Sequence, residues 1–324
     1  MPGAKSPMWS LATFALHRIV TYVVPIMIGV SIIVFAVVRL VPGDAVDVMK
    51  EGLTVEQRAQ IRETYGLNQP IWTQYTLWAG QALRGNLGVS LRSGRPVLEE
   101  IGAVGEASLE LGLLGALIGI AIGIPAGIFS ALYQGRPADT AVRAITYVSI
   151  SLPEFWLGAL LIVTLGIKLR LFPISGYASF LNDPRHAFEV TFMPALALGL
   201  VNAGFLSRVT RSAMLEVIRQ DYMTVAAAKG LSRSTVLTRH ALRNAAPAIV
   251  TVVALQFAFL ISGSIVIEEV FVRPGLGRLL VRSIFQRDYA VIQAITLIYT
   301  LIFITANLCG DIARAAIDPR IRQS

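Results

Sequence analysis

Two polar side chains stand inside long apolar stretches of this sequence and could bind a ligand there. Glu154 follows Pro153 in one such stretch, and Asn202 lies in another. If these stretches cross a membrane, a carboxylate at mid-depth costs about 2.5–3.5 kcal/mol on insertion scales and should face protein or water. Glu154 could therefore line a solute path and hold an amine, or it could be protonated or hydrogen-bonded where helices pack.

The residue types needed for catalysis, nucleotide binding or metal ligation do not occur in the required patterns. The sequence has one cysteine, Cys309, and three well-separated histidines, His17, His186 and His240. These give no internal disulfide and no cluster with metal-ligand spacing. The dipeptide Gly-Lys of a phosphate-binding loop is absent, as are a nucleophile elbow and a His-Glu-x-x-His pair. We therefore expect neither a cofactor nor catalysis in this chain.

Six apolar stretches are long enough, or nearly so, to cross a membrane. Hydrophobic residues make up 55% of the 324 residues and charged residues only 15%, below the roughly 25% typical of soluble domains. A helix needs about 20 residues to cross a hydrocarbon core of about 30 Å. The candidate spans cover residues 19–38, 111–133, 144–167, 191–207, 244–267 and 289–310. The sequence therefore predicts an all-α membrane protein with six transmembrane helices.

Basic residues between the spans indicate the orientation and argue against nucleic acid as a partner. The net charge is +8, but the positive side chains lie mainly in the connections, as orientation signals do. The connection between the fourth and fifth spans is rich in them: Arg208, Arg211, Arg219, Lys229, Arg233, Arg239 and Arg243. We therefore expect this connection and both termini to be cytoplasmic.

The chain divides into three parts. Residues 1–41 hold the N-terminal tail and the first span, whose apolar run is longer than a signal-peptide core of about 7–15 residues and is expected to be retained. Residues 42–103 form an insertion expected outside the membrane, because long loops translocate largely regardless of charge. Residues 104–319 form the membrane core, which contains the cytoplasmic loop 208–245.

The outer insertion is expected to be helical. Thr54-Val-Glu-Gln57 resembles a capping box that starts one helix. Pro70 suits the first turn of a second helix, which should end near Gly85. The aromatic side chains of that second helix either anchor it at the membrane interface or form a lip that binds an outer partner.

Glycine and proline recur inside the spans. The second span has a glycine at every fourth position: Gly115, Gly119, Gly123 and Gly127. This spacing permits close approach of another helix, from this chain or from a partner.

Three spans each carry a proline: Pro125, Pro153 and Pro194. These prolines are either kinks fixed by packing or hinges.

Residues 221–247 have the pattern helix, break, helix. The stretch from Thr224 to Lys229 is alanine-rich and favours a helix. Gly230 is placed to end that helix in the left-handed conformation, and Ser232 can cap a second helix. Small side chains with a basic rim permit close contact with another protein. The alternative is an ordinary loop that only helps to set the orientation.

Four motifs follow one another along the chain. The cytoplasmic loop carries Ala228-Lys-Gly-Leu-Ser232 and His240-Ala-Leu-Arg-Asn-Ala245. The others are Tyr65-Gly-Leu-Asn-Gln-Pro-Ile71 with Gly85-Asn-Leu-Gly-Val-Ser90, Ser151-Leu-Pro-Glu-Phe-Trp-Leu-Gly158, and Glu268-Glu-Val-Phe271 with Pro274-Gly-Leu-Gly-Arg278. Over residues 12–319 the sequence resembles permeases of binding-protein-dependent ABC importers, in the dipeptide, oligopeptide and nickel branch. The sequence departs from the general family pattern in three places: Thr224-Val-Ala226 replaces Glu-Ala-Ala, His240-Ala-Leu-Arg243 replaces Ile-x-Leu-Pro with Pro247 four residues late, and Arg273 replaces an aromatic residue.

The resemblance implies a type I ABC importer permease fold and a division of labour between subunits. Two ATPase subunits would bind ATP and Mg, a second related permease would complete a heterodimer, and an extracytoplasmic binding protein would deliver substrate. The implied ATPase-coupling residues are Asp221, Thr224, Ala226, Ala227, Ala228, Lys229, Gly230, Leu231, Ser232, His240 and Arg243. Glu154, Pro153 and Asn202 would line the translocation path.

The expected substrate is a di- or oligopeptide carried across the cytoplasmic membrane by alternating access. A nickel or glutathione importer of the same branch stays open, because the binding protein largely sets substrate choice. An ion-coupled secondary transporter would instead predict intramembrane ionisable relays and inverted repeats. One mid-span carboxylate and no evident repeat disfavour that alternative.

Overall fold

The computed structural model describes residues 11–40, 54, 63, 68–90, 92–229 and 235–317. Within them the chain is helical, with no β-strand beyond an isolated bridge between Val89 and Pro96. Five helices are long and apolar enough to cross a membrane, and a sharply bent helix pair makes a sixth candidate span. The predicted all-α class with six spans is confirmed.

Long helices alternate with short ones along the described residues. In chain order they are α1 (Leu11–Leu40), α2 (Ile71–Leu83), α3 (Val97–Leu132), α4 (Pro137–Ser151), α5 (Glu154–Lys168), α6 (Pro184–Ile218), α7 (Asp221–Ala228), α8 (Arg243–Gly263), α9 (Ile265–Val270), α10 (Leu276–Gln286) and α11 (Tyr289–Ile317). A π-helical segment, Val236–Leu242, leads directly into α8. Several helices are longer than the apolar windows, because they continue into more polar residues at their ends.

The third predicted span, residues 144–167, is not one continuous helix. It is broken between α4 and α5, whose axes differ by 98°. Leu152 has the extended conformation (φ −82°, ψ 130°) that a residue before proline favours, because the proline ring clashes with a helical predecessor. Glu154 is therefore the first residue of a new helix and does not lie inside a continuous one. Pro125 and Pro194, by contrast, lie within the unbroken helices α3 and α6.

The packing of α3 against α6 forms the centre of the fold. The glycine ladder of α3 faces α6, and a Cβ added at Gly123 would lie 2.6 Å from the carbonyl oxygen of Ala203. At Gly115 the nearest neighbour of such a Cβ is Leu198, also on α6. The ladder therefore provides packing within the chain, which is one of the two alternatives that the sequence left open.

The first span lies at the periphery. Most of its apolar side chains are exposed in the isolated chain, and its helix packs mainly against α11. Phe35 is an exception, because it is buried under α2. The exposed apolar surface of α1 suits contact with lipid.

The second helix predicted in the insertion of residues 42–103 is present. Pro70 directly precedes α2, and Gly85 follows the helix with a positive φ of 82°. Tyr75 donates or accepts a 2.8 Å hydrogen bond with Ser31, and its ring contacts that of Phe35 edge-on. One side of α2 is thus anchored on α1. The capping box predicted at Thr54 to Gln57 lies largely outside the described residues.

Candidate functional site

The structure brings Glu154 and Asn202 together at one cavity. The cavity has a volume of about 340 Å³ and is lined by α5, α6 and α8. Its lining residues are Glu154, Leu198, Val201, Asn202, Phe205, Gln256, Phe259, Leu260 and Gly263. Pro153, the third residue predicted on this path, is not part of the lining. It forms the break that places Glu154 there.

Glu154 begins α5 immediately after the break. Its side chain is half-buried, and among the described residues no side-chain or backbone donor gives it a hydrogen bond. Pro153 precedes it as the N-cap without a side-chain cap, so the first N–H groups of α5 lie close by. The positive end of a helix stabilises an adjacent carboxylate. The site therefore presents an acceptor group toward the cavity.

Asn202 and Gln256 form a hydrogen-bonded pair in the cavity wall. The Gln256 Nε2 donates to the Asn202 Oδ1 at 3.0 Å. Asn202 is only 3% exposed, and it packs against Gly119 of α3. Sequence reasoning missed Gln256, although a glutamine inside the apolar window 244–267 was a visible signal.

The predicted coupling segment follows the Ile218 end of α6. Asp221, Thr224 and the three alanines predicted there fall within the short helix α7, as the alanine-rich pattern indicated. Lys229 follows in a turn, and His240 belongs to the π-helical segment before Arg243 opens α8. Gly230, Leu231 and Ser232 lie outside the described residues, so the predicted left-handed glycine and serine cap stay predictions.

A buried methionine fixes α7 to the membrane core. Met223 is 5% exposed and belongs to a cluster with Met214, Ala241 and Ile249. The Asn244 side chain also donates a 3.0 Å hydrogen bond to the hydroxyl of Tyr222. Asp221, Val225 and Lys229 are exposed, so α7 presents a free face beside its buried one.

A buried carboxylate secures the connection between α9 and α10. Glu268 accepts hydrogen bonds from Ser108 Oγ at 2.6 Å, Ser264 Oγ at 2.9 Å and the Arg278 backbone N–H at 3.0 Å. These hydrogen bonds explain why Glu268 and the stretch Pro274–Arg278 occur together as a motif. The loop between α9 and α10 folds around the Glu268 carboxylate.

Arg273, which departs from the family pattern, is fully buried and well paired. Its Nη1 donates to Thr191 Oγ1 at 2.9 Å, and its Nη2 lies 3.2 Å from Glu110 Oε2. Burial lowers the pKa of Arg273, and the Glu110 carboxylate opposes that shift. Sequence reasoning gave no partner for this arginine, because its contacts are 82 and 163 residues away.

No group of three or more His, Cys, Asp or Glu side chains in the described ranges is placed to hold a metal ion. The lining of the Glu154 cavity offers one carboxylate and two amides to a ligand.

Comparison with known proteins identifies the family. Residues 123–323 match the family described as binding-protein-dependent transport system inner membrane component. The probable peptide ABC transporter permease protein y4tP of Sinorhizobium fredii is 37% identical over 313 residues, covering 96% of this chain and 100% of the relative. The chain therefore belongs to this family of transport permeases.

Other relatives have similar names. The oligopeptide transport system permease protein AppB of Bacillus subtilis is 37% identical, covering 92% of this chain and 96% of AppB. The dipeptide transport system permease protein DppB of Escherichia coli K12 is 36% identical, covering 95% and 98%. The predicted resemblance to this branch is confirmed.

Solved structures confirm the fold. The methionine ABC transporter MetNI in an inward-facing conformation matches with a TM-score of 0.54 and 18% identity, covering 65% of this chain and 92% of that chain. An amino acid ABC transporter solved with histidines matches with a TM-score of 0.53 and 14% identity, covering 67% and 94%. The chain has the type I ABC importer permease fold, in an inner-membrane family with a transport role.

Proposed function

We propose that this chain is the permease subunit of an ATP-driven importer of di- or oligopeptides. The observation that carries the proposal is the Glu154 carboxylate, which faces a cavity between spans beside the Asn202–Gln256 pair. Relatives that match nearly the whole chain are named as peptide, oligopeptide and dipeptide transport permeases. These names support the same substrate class.

The cavity suits the amino end of a peptide. A carboxylate attracts an ammonium group, and the two amides offer both donors and acceptors to a peptide bond. The remaining lining is apolar, so the site binds through a few polar contacts and can release its ligand. Weak and reversible binding is what alternating access requires of a path residue.

Energy would come from other subunits. ATP and Mg would bind two ATPase subunits, each permease would present a coupling loop to one of them, and a second related permease would complete the path. In this chain the loop is residues 221–245, with α7 as the docking helix and both termini in the cytoplasm. A binding protein outside the membrane would deliver the peptide.

Substitution of the carboxylate tests the path. In membrane vesicles holding the complete importer, Glu154→Gln should lower uptake of a radiolabelled dipeptide at least tenfold. Uptake of an N-acetylated analogue, which lacks the ammonium group, should change less than twofold. Glu189→Gln is the matched control, because Glu189 is partly exposed and pairs with its helix neighbours Arg185 and His186. Equal effects of Glu154→Gln on both substrates would refute the role of the carboxylate.

Co-purification tests the coupling. The chain, gently solubilised from native membranes, should carry with it a second six-span permease and ATPases with phosphate-binding loops. Gly230→Asp should remove the ATPases and leave the second permease bound. A chain that purifies alone in several detergents would instead favour a secondary transporter.

A further inference from the structure

A second polar pocket lies farther along α6, toward its Ile218 end. It has a volume of about 210 Å³ and is enclosed by the end of α3, by α4 and by α6. Three arginines line it: Arg143 on α4, and Arg208 and Arg211 on α6. Neither the family pattern nor the sequence motifs assign a role to this pocket.

One carboxylate, Asp139, lies beside two of these guanidinium groups, those of Arg211 and Arg143. Asp139 is almost fully buried, and Arg211 donates to both of its oxygens, from Nε and from Nη2, each at 3.0 Å. Its Oδ1 also accepts a hydrogen bond of 2.6 Å from Ser130. The charge of Arg211 is therefore neutralised by a partner within the protein.

The guanidinium groups of the other two arginines, Arg143 and Arg208, can still bind an anion. The Nε of Arg143 is buried and 3.6 Å from Asp139 Oδ1, but it has no hydrogen-bond acceptor in the described ranges. Arg208 forms no ion pair with any carboxylate that the structure describes. A buried guanidinium donor without an acceptor is costly, so this pocket is suited to an anion.

The side chain of Phe205 connects the basic pocket to the Glu154 cavity. The guanidinium carbon of Arg208 lies 5.5 Å from the ring centroid of Phe205, and Phe205 lines the Glu154 cavity. Asn202 and Arg208 are six residues apart on α6, which corresponds to about 9 Å along the helix. An extended chain spans about 3.3–3.6 Å per residue, so two or three residues cover this distance.

We propose that Arg208 and Arg143 bind the terminal carboxylate of the transported peptide. Glu154 then holds the ammonium end, and the path recognises a short peptide by its two opposite charges. This inference rests on the proposed function. The arrangement of the two sites favours a carboxylate over other anions, because the acidic Glu154 cavity and the neighbouring basic pocket match the two ends of one zwitterion.

Competition binding tests the proposal. The complete importer is placed in nanodiscs of phosphatidylcholine without its binding protein, and binding of tritiated dialanine is measured against unlabelled dialanine and dialanine amide. The native complex should prefer the free acid at least tenfold. Arg208→Gln and Arg143→Gln should each reduce that preference to threefold or less, and Arg208→Lys should restore part of it. Co-purified ATPase subunits verify that each variant is assembled.

A matched control and a lipid control separate the outcomes. Arg185→Gln, at the opposite end of α6, should keep the native preference, because Arg185 is exposed and pairs with Glu189. Unchanged preference in both Arg208→Gln and Arg143→Gln would overturn the inference while leaving peptide transport intact. An effect of these variants that appears only with phosphatidylglycerol in the discs would overturn it in favour of a lipid phosphate. A native complex that transports no peptide would refute the proposed function itself, and the inference with it.

Discussion

Gln256 on α8 donates a 3.0 Å hydrogen bond to the amide oxygen of Asn202 on α6. The bond joins two spans at the wall of the Glu154 cavity, and it fixes the orientation of the Asn202 amide. Asn202 has little freedom to adjust, because it is nearly buried and confined by Gly119. A polar pair between spans thus positions one wall of the candidate path.

Removal of the donor should therefore destabilise the protein. Gln256→Leu leaves the Asn202 oxygen buried without a partner, which costs about 1–3 kcal/mol of unfolding free energy. The melting midpoint of the purified complex should fall, and dipeptide uptake should fall with it. Asn307→Leu is the control, because the Asn307 side chain donates to a carbonyl of its own helix. An equal decrease in both variants would contradict a specific role for the pair.

The glycine ladder gives a prediction about packing. Gly123→Ala should lower the melting midpoint, because the added methyl would lie 2.6 Å from the Ala203 carbonyl oxygen and must push α6 away from α3. Gly29→Ala in α1 is the matched control. A Cβ there meets nothing within 4 Å, and alanine is the better helix former by about 1 kcal/mol. A higher or unchanged midpoint for Gly123→Ala would contradict close packing at this point.

The sequence was sufficient to identify the six spans and the small-residue face of α3, because hydropathy and four-residue spacing are local properties. It did not identify the helix that Gly123 contacts, because that depends on tertiary structure. The sharp bend before Pro153 was also missed. A proline inside an apolar window is compatible with a gentle kink, as in α3, and with a break, and local sequence does not separate the two.

The candidate site could be predicted only in part, because the local sequence shows polar residues in apolar stretches but not which helices meet. Glu154 and Asn202 were recognisable as polar groups in apolar surroundings, and the structure places both at one cavity. Gln256 and Arg208 belong to the sites only through contacts between helices that are distant in sequence. Their roles therefore become visible only in the folded chain.

The neighbouring residues Glu268 and Glu269 give a prediction about the loop between α9 and α10. Glu268→Ala removes the acceptor for Ser108, Ser264 and the Arg278 amide, so it should release α10 from α3. Amide hydrogen exchange in α10 should accelerate at least tenfold. Glu269→Ala should change exchange less than threefold, because Glu269 is partly exposed and its partner Arg278 is 3.5 Å away. Similar exchange in the two variants would show that the buried carboxylate does not secure the loop.

The two faces of α7 should have separable functions. Met223 is buried and Val225 is 53% exposed, so one residue positions the helix and the other is free to contact a partner. Met223→Ala should lower the melting midpoint, since truncation of a buried methionine costs about 2–5 kcal/mol of unfolding free energy.

Val225→Asp should leave the melting midpoint nearly unchanged, because surface substitutions usually alter the unfolding free energy by no more than about 0.5 kcal/mol. It should nevertheless reduce co-purification of the ATPase subunits at least fivefold, because a charge enters the docking face. Leu181→Asp, at an exposed position far from α7 in the chain, should affect neither measurement. Native levels of co-purified ATPase with Val225→Asp would mean that the exposed face of α7 does not bind the ATPase.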